Sequence, residues 1–326
     1  MCGKEGFPME QPMVSVIMGV YNQWDEKILR DAVNSILNQS FRDFEFIIWD
    51  DGSCPEAAGN VQALGGMDQR IIIAGREENR GLAFSLNECI RLARGKYIAR
   101  MDADDFSLPG RLERQVIFLE NHPEYGWCGT NAELFDENGV WGLRPMPEIP
   151  QMADYFRYSP YVHPSVMFRG ELFDQERGYL DTQETLRCED YEIFMRLVGR
   201  GQRGYNLQET LFRYRETRES YRKRKIHFRI NEAKTRYRSY KELGILFPAG
   251  WIYSLRPVAA CMIPPQILEW IKRTEGKFRK RGIWDGQAKA GGEYPTAALE
   301  VQSHTGTEPA PFGSIGKIHG PAGRAV

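Results

Sequence analysis

Within its first hundred residues the chain alternates strand-like and helical patterning, and this restricts the folds open to it more than any other feature. VSVIMGVY, FEFIIWD, RIIIA and KYIARM are β-branched, apolar runs of strand length. Between them, Glu26 to Gln39 repeats Leu29, Val33, Ile36 and Leu37 at helical spacing, and Val61 to Leu64 sits in a short, weak helical segment. A third helix is predicted from Gly81, with Leu82, Leu86, Cys89, Ile90 and Ala93 on one face and Gly95 as its stop. Strands that alternate with helices imply right-handed crossovers and a mostly parallel sheet, an α/β architecture that does not by itself name a reaction.

The fourth strand runs into MDADD, where Asp102, Asp104 and Asp105 place three carboxylates within four residues. Like charges this close repel, and burying them is costly unless a cation neutralises them. Hard oxygen ligands suit Mg²⁺ or Mn²⁺. An acidic loop at the end of a strand would lie on the carboxyl edge of the sheet, where open α/β folds collect ligands. An acidic surface turn is the bland alternative for DxDD taken alone.

Beyond the acidic loop, Pro109 suits the first turn of a helix reaching Asn121, and YGWCGTNAELF and VHPSVMFR read as further strands. CEDYEIFMRLVGRG begins acidic and turns apolar with helical period. Glu189 and Asp190 would therefore sit at a helix N-terminus, where negative charge is favoured, anchored by Ile193, Leu197 and Val198. The six cysteines, at 2, 54, 89, 128, 188 and 261, form no CxxC and no regular spacing. They suggest neither a zinc site nor a disulfide framework, and a reducing, cytosolic interior is expected. MCGKEGFPMEQPM lacks a signal-peptide apolar core, and no run of about 18 uncharged apolar residues is present.

Four segments in order, VSVIMGVYN, WDDGS, ENRGLAFSLN with ARGKYIARMDADD, and CEDYEIFMRL, resemble the family 2 glycosyltransferases. The resemblance covers roughly residues 12–215. It implies the GT-A fold, a Rossmann-like, mostly parallel central sheet flanked by helices, and an inverting transfer from a nucleotide-activated sugar. By the family pattern Asp50 and Asp51 serve the nucleoside, with the backbone of Val20, Tyr21 and Asn22 cradling the base; Tyr21 packs on that base or is a core aromatic. The DxD falls on Asp102 and Asp104, implying Mn²⁺ or Mg²⁺ on the diphosphate, with Asp102 also touching the donor. Arg80 and Arg111 are candidate phosphate helpers, although flanking arginines are more often surface charge. Asp190 is implied as the general base, with Glu189 as its supporting neighbour. His163 borders the acceptor or the metal, or is a satisfied core histidine, and carries no assigned chemistry.

A UDP-sugar is the expected donor and a saccharide or lipid-linked saccharide the acceptor, in bacterial cell-surface polysaccharide synthesis. A nucleotidyltransferase would share the sheet and the metal carboxylates, but VYNQWDE offers no Gly-rich phosphate loop. An idle nucleotide-binding scaffold would be marked by loss of the metal or base carboxylates, and both are present.

The C-terminal third fits the family core less well. From Arg196 to Lys241 it carries 15 Lys/Arg against 4 Asp/Glu, and Tyr214, Tyr221, Phe228 and Tyr237 interleave with the charges in what reads as a helical segment. Basic plus aromatic describes nucleic-acid binding and equally a surface helix seeking anionic lipid; no nucleic-acid partner is expected. LGILFPAGWIYSLRPVAACMIPPQILEWIKR is apolar but broken by Arg256 and several prolines, which suits in-plane contact with the cytoplasmic face of a membrane, or a helical subdomain packed on the core. The expected division is a catalytic domain at 12–215, a basic then apolar helical extension at 216–285, and a tail at 286–326 whose Gly, Pro, Ala and Thr predict disorder. The expected location is cytoplasmic, peripheral on the inner face of the membrane.

Overall fold

The computed structural model describes residues 11–175, 178–217, 226–264, 266–268 and 270–276. The tail expected from 286 and the centre of the basic stretch, 218–225, lie outside the described residues. The first half follows the alternation: β1 (Val14–Val20), α1 (Glu26–Leu37), β2 (Phe44–Asp51), α2 (Pro55–Leu64), β3 (Ile71–Arg76), α3 (Leu82–Leu92) and β4 (Tyr97–Arg100). These four strands lie side by side in the order β3-β2-β1-β4, all parallel. Every residue of β2 is buried, as expected of a parallel strand covered on both faces.

Side chains alternate across the sheet with period two, and the sequence assigns each set to a separate core. Val14, Val16, Met18 and Val20 pack with Leu29, Val33 and Ile36 of α1 and Val61 and Leu64 of α2. Ile17, Ile47 and Trp49 face the other way, onto Leu86 and Cys89 of α3. Gly95 does not end α3, which stops at Leu92. It is required because a Cβ there would lie 2.5 Å from the Ser15 nitrogen, where the chain crosses back against β1.

The second half extends the sheet with mixed pairing. It comprises β5 (Phe106–Ser107), α4 (Arg111–Asn121), β6 (Trp127–Asp136), β7 (Gly139–Arg144), α5 (Met152–Arg157), β8 (Met167–Arg169), α6 (Glu171–Gln175), α7 (Glu189–Gly199) and β9 (Gly204–Arg215). Antiparallel β8 joins β4 to β6, and β6 pairs parallel with β9. The segment LFRYR, read from sequence as entering a helix, is the end of β9; Phe212 is buried opposite Ala132 and Ser107. Pro109 lies one residue before Gly110, the residue that caps α4.

Two helices follow, α8 (Ile226–Glu242) and α9 (Trp251–Ala259). The inner face of α8 docks on α7: the Tyr240 and Tyr191 hydroxyls lie 2.8 Å apart, and the Arg236 guanidinium covers the Tyr191 ring at 4.1 Å. Among the described residues no single helix is long and apolar enough to cross a membrane.

Candidate active site

The carboxyl edge of the parallel half gathers the acidic loop and the loops that follow β1 and β2. Asp102, Asp104 and Asp105 each offer an oxygen, and these atoms lie within 4.8 Å of one another. The loop is held from outside. Phe106 and Ser107 pair with Arg213 and Phe212 of β9, the Arg215 N–H donates to Asp105 Oδ1 at 2.8 Å, and Arg215 Nε donates to the Asp104 carbonyl at 2.8 Å. Burial, with the Asp102 charge adding to it, pushes the Asp104 carboxyl up to about 6. Asp105 is raised well above the carboxylate range by burial and by its two acidic neighbours, and its buried Oδ2 has no partner among the described residues. Three hard oxygen donors, crowded and partly orphaned, fit Mg²⁺ or Mn²⁺.

Arg100, the last residue of β4, is 2 % exposed, and its guanidinium pairs with Asp102 at 2.6 Å. Burial works against its charge, and the Asp102 carboxylate, together with Tyr179 and Asp105, outweighs it and raises it above its ordinary value. The same guanidinium acts electrostatically on Asp104, Asp105, Glu189 and Asp190, so one buried cation is shared by the acidic loop and the start of α7. Glu189 is buried; desolvation and then the Asp190 charge push it up to about 7. Asp190 is also raised, chiefly by burial. His163 is buried with Nε2 2.8 Å from the Tyr179 hydroxyl, and burial and then Arg100 hold it well below its ordinary value. It is a neutral core histidine.

Arg111 is fully buried and is no surface charge. Its Nη1 donates to the carbonyls of Arg100 and Pro164, at 3.1 and 3.0 Å, which ties α4 to the strand that carries the acidic loop. Burial lowers it to about 9. Arg80 stays half-exposed, 3.2 Å from Asp181 and stacked 5.0 Å over the Phe84 ring.

The loops after β1 and β2 are laced together. Val20 is buried beside Asp50 in the β1–β2 register. The Asn22 N–H donates to Ser53 Oγ and the Cys54 N–H donates to Asn22 Oδ1, both at 2.9 Å. Tyr21 is 54 % exposed at this rim, which removes it from the core. Asp51 accepts from Asn79 Nδ2 at 2.8 Å, from the Arg80 N–H at 3.0 and 3.1 Å, and from the Gly81 N–H at 2.6 Å, so its oxygens are spent on fixing the start of α3. Asp50 accepts only from the Ser53 N–H, at 3.1 Å, among the described residues. Gly52 allows this approach: its φ is +72°, and a Cβ would meet the Glu78 carbonyl carbon at 2.6 Å.

Arg100, Arg215 and Tyr179 escaped the sequence reading. A charged residue inside the apolar run KYIARM was the available signal for Arg100, because a strand buried on both faces admits a cation only with a partner. Nothing local marks Arg215, which reaches the acidic loop from 110 residues away.

The raised Glu189 carboxyl gives stability a defined pH dependence. Between its ordinary 4.5 and about 7 the folded chain holds a proton that the unfolded chain releases, so its contribution is present below this window and is lost as pH rises through it. Glu189→Gln should therefore unfold at the same urea concentration as the parent near the lower end and be more stable above the upper end, by on the order of 3 kcal/mol. Equal stabilities on the alkaline side would contradict the shift.

A family model described as Glycosyl transferase family 2 matches residues 15–176. The chain is 35 % identical over 273 residues to the putative glycosyltransferase EpsE of Bacillus subtilis, covering 83 % of this chain and 97 % of that one. It is 34 % identical over 211 residues to the O-antigen biosynthesis glycosyltransferase WbnJ of Escherichia coli, covering 62 % and 79 %. Among solved structures, S. aureus TarS 1–349 in complex with UDP-GlcNAc superposes with a TM-score of 0.54 at 17 % identity, covering 86 % of this chain and 93 % of that one. The mannosyltransferase PcManGT of Pyrobaculum calidifontis, in complex with GDP-Man and Mn²⁺, gives 0.55 at 16 %, covering 85 % and 84 %. At these identities the two structures speak for the shared fold.

Proposed function

The chain belongs to glycosyl transferase family 2, and we propose that it transfers a sugar from a UDP-sugar, with inversion, to a saccharide or lipid-linked saccharide in cell-surface polysaccharide synthesis. One observation carries this reading: a buried arginine couples a crowded triple-aspartate loop to a raised acidic pair at a helix N-terminus, on the sheet edge that also presents Asp50 and Tyr21. The UDP-GlcNAc complex of TarS and the name of the O-antigen relative support the donor and the pathway class.

Asp50, which has an oxygen to offer, is the nucleoside contact; Asp51 supports it by holding 79–81 in place. Tyr21 packs on the base from the rim. Asp102, Asp104 and Asp105 would hold the cation, Mn²⁺ or Mg²⁺, which when bound would neutralise negative charge on the diphosphate. Asp190 accepts the proton of the acceptor hydroxyl as that oxygen attacks the anomeric carbon from the side opposite the nucleotide. The bond to the leaving diphosphate oxygen breaks with its electron pair going to UDP, and the configuration inverts. Burial suits Asp190 to the role, since a raised carboxylate is a stronger base than an exposed one. Arg100 opposes protonation in both the aspartate loop and the acidic pair.

The reading is tested by incubating the purified protein with a panel of nucleotide sugars in Mn²⁺, Mg²⁺ or EDTA. Cation-dependent release of UDP from one sugar is the expected result; no release from any of them, with no thermal stabilisation by any nucleotide, would refute it. Asp104→Asn separates the metal from the chemistry. In EDTA the variant should melt above the parent, because one repelling carboxylate is gone. Saturating Mn²⁺ should raise the parent's stability by about 2.7 kcal/mol at 100 times its Kd and leave the variant unmoved. A parent that melts identically in Mn²⁺ and EDTA would remove the cation from the site.

A further inference from the structure

The C-terminal helices carry a surface feature that the transfer reaction does not use. The helical stretches Leu246–Met262 and Gln266–Gly276 meet at an angle of 111°, and neither alone is long and apolar enough to span a bilayer. The polarity of the second stretch is inverted relative to an ordinary surface helix. Its cations turn inward: Lys272 Nζ lies 2.9 Å from Glu216, and Arg273 Nη2 lies 2.7 Å from the buried Asp136 while its guanidinium covers the Trp141 ring at 4.9 Å. Two of its apolar side chains turn outward, Ile267 50 % and Trp270 68 % exposed, while Leu268 and Ile271 are half-buried. A helix whose solvent is water does the reverse.

The first stretch behaves in the same way. Tyr253 stacks on Phe156 at 5.2 Å, and Ser254 and Pro257 are buried, so α9 is already docked by one face. The other face leaves Trp251, Ile252 and Leu255 exposed around a shallow hollow of about 530 Å³. At the bend the apex is apolar as well, and Met262 is 86 % exposed.

We propose that this bent pair is a monotopic membrane wedge that seats the enzyme on an anionic phospholipid leaflet, with Met262 and Ile263 at its tip. Three features of the surface select lipid over a protein partner. Exposed apolar residues lie on both stretches and at the bend between them. Tryptophans, which favour the headgroup level, lie on both arms. Lys234 and Lys241 on the neighbouring α8, and Arg256 on α9, are exposed and supply the positive charge that anionic headgroups attract. Within the same basic stretch, Arg236 and Tyr240 are buried against α7 and take no part in the wedge. The proposal stands apart from the transfer chemistry and does not depend on the donor.

Flotation of the full chain with vesicles of phosphatidylcholine alone, or of phosphatidylcholine with phosphatidylglycerol, tests it. The parent should float with the anionic vesicles, its tryptophan emission quenched by brominated acyl chains. Ile252→Asp combined with Met262→Asp and Trp270→Asp should bind roughly tenfold or more weakly. Lys241→Glu with Arg256→Glu should lose only the advantage of the anionic lipid. All variants should keep the parent's thermal shift with UDP, which reports the fold and the donor site separately from the wedge. If the triple variant loses its thermal transition, Met262→Asp alone serves, at a position where no packing is removed. A parent that stays at the bottom of the gradient, or a folded wedge variant that floats as the parent does, would overturn the proposal. So would a dimer in sedimentation velocity that the wedge substitutions abolish, with no flotation, since the surface would then belong to a second copy.

Discussion

Asp190→Asn should bind the donor nucleotide as tightly as the parent does and transfer sugar about 10² to 10⁴ times more slowly, the usual worth of a positioned general base. The amide keeps the shape of the side chain and its place in the first turn of α7, so packing against the second core is unchanged. What disappears is the ability to take a proton. Glu189 does not substitute for it: its side chain is buried, whereas that of Asp190 is half-buried and so the one an acceptor hydroxyl can reach. The comparison needs donor affinity from calorimetry with UDP and single-turnover transfer to acceptor at fixed pH. Transfer at the parent rate would remove Asp190 from the chemistry. Weakened UDP binding with a normal transfer rate would move it to the donor side.

Arg100→Met should cost stability on the order of 3 to 5 kcal/mol, the range found when one partner of a buried ion pair is removed and the other charge is stranded. The stranded charges here belong to Asp102 and, beyond it, to four further acidic groups that feel the same guanidinium. The loss should be largest in chelator and smaller in saturating Mn²⁺, because a cation in the aspartate loop supplies part of the missing positive charge. Urea unfolding in the two conditions measures it. A variant as stable as the parent in chelator would show that Arg100 is not the counter-charge, and an equal loss with and without Mn²⁺ would separate it from the acidic loop. Transfer should fall as well, since the acidic pair loses the charge that keeps Asp190 ionised.

The legibility of the site in the sequence follows the range of the interactions that make it. Strand β2 could be read because FEFIIWDD is apolar apart from Glu45 and is then closed by two acids. The aspartate loop could be read because three like charges within four residues need an external cause. What the sequence does not show of Asp51 is its local partners: its oxygens face Asn79, Arg80 and Gly81, some 30 residues on, brought there only by the closure of two loops. Arg111 misled for a related reason. An arginine flanking a loop ordinarily faces water, and its burial here depends on the carbonyls of Arg100 and Pro164 arriving from two other segments. β9 was missed because Gly204 to Arg215 mixes polar and basic residues, whereas its strand character comes from partners on both sides.

The pairing of β5 with β9 bears on the order in which the molecule is assembled as it is synthesised. The acidic loop is complete in sequence by Asp105, yet the backbone and side chain of Arg215 that hold it are made more than a hundred residues later. Contacts of such separation form late, after the loop-closure entropy of the intervening chain has been met. A nascent chain that has not yet reached β9 therefore carries its aspartates as a solvated turn in which repulsion is relieved by water. The crowded arrangement is imposed only when the last strand docks, so the clustered carboxylates mark a finished sheet and not a partial one.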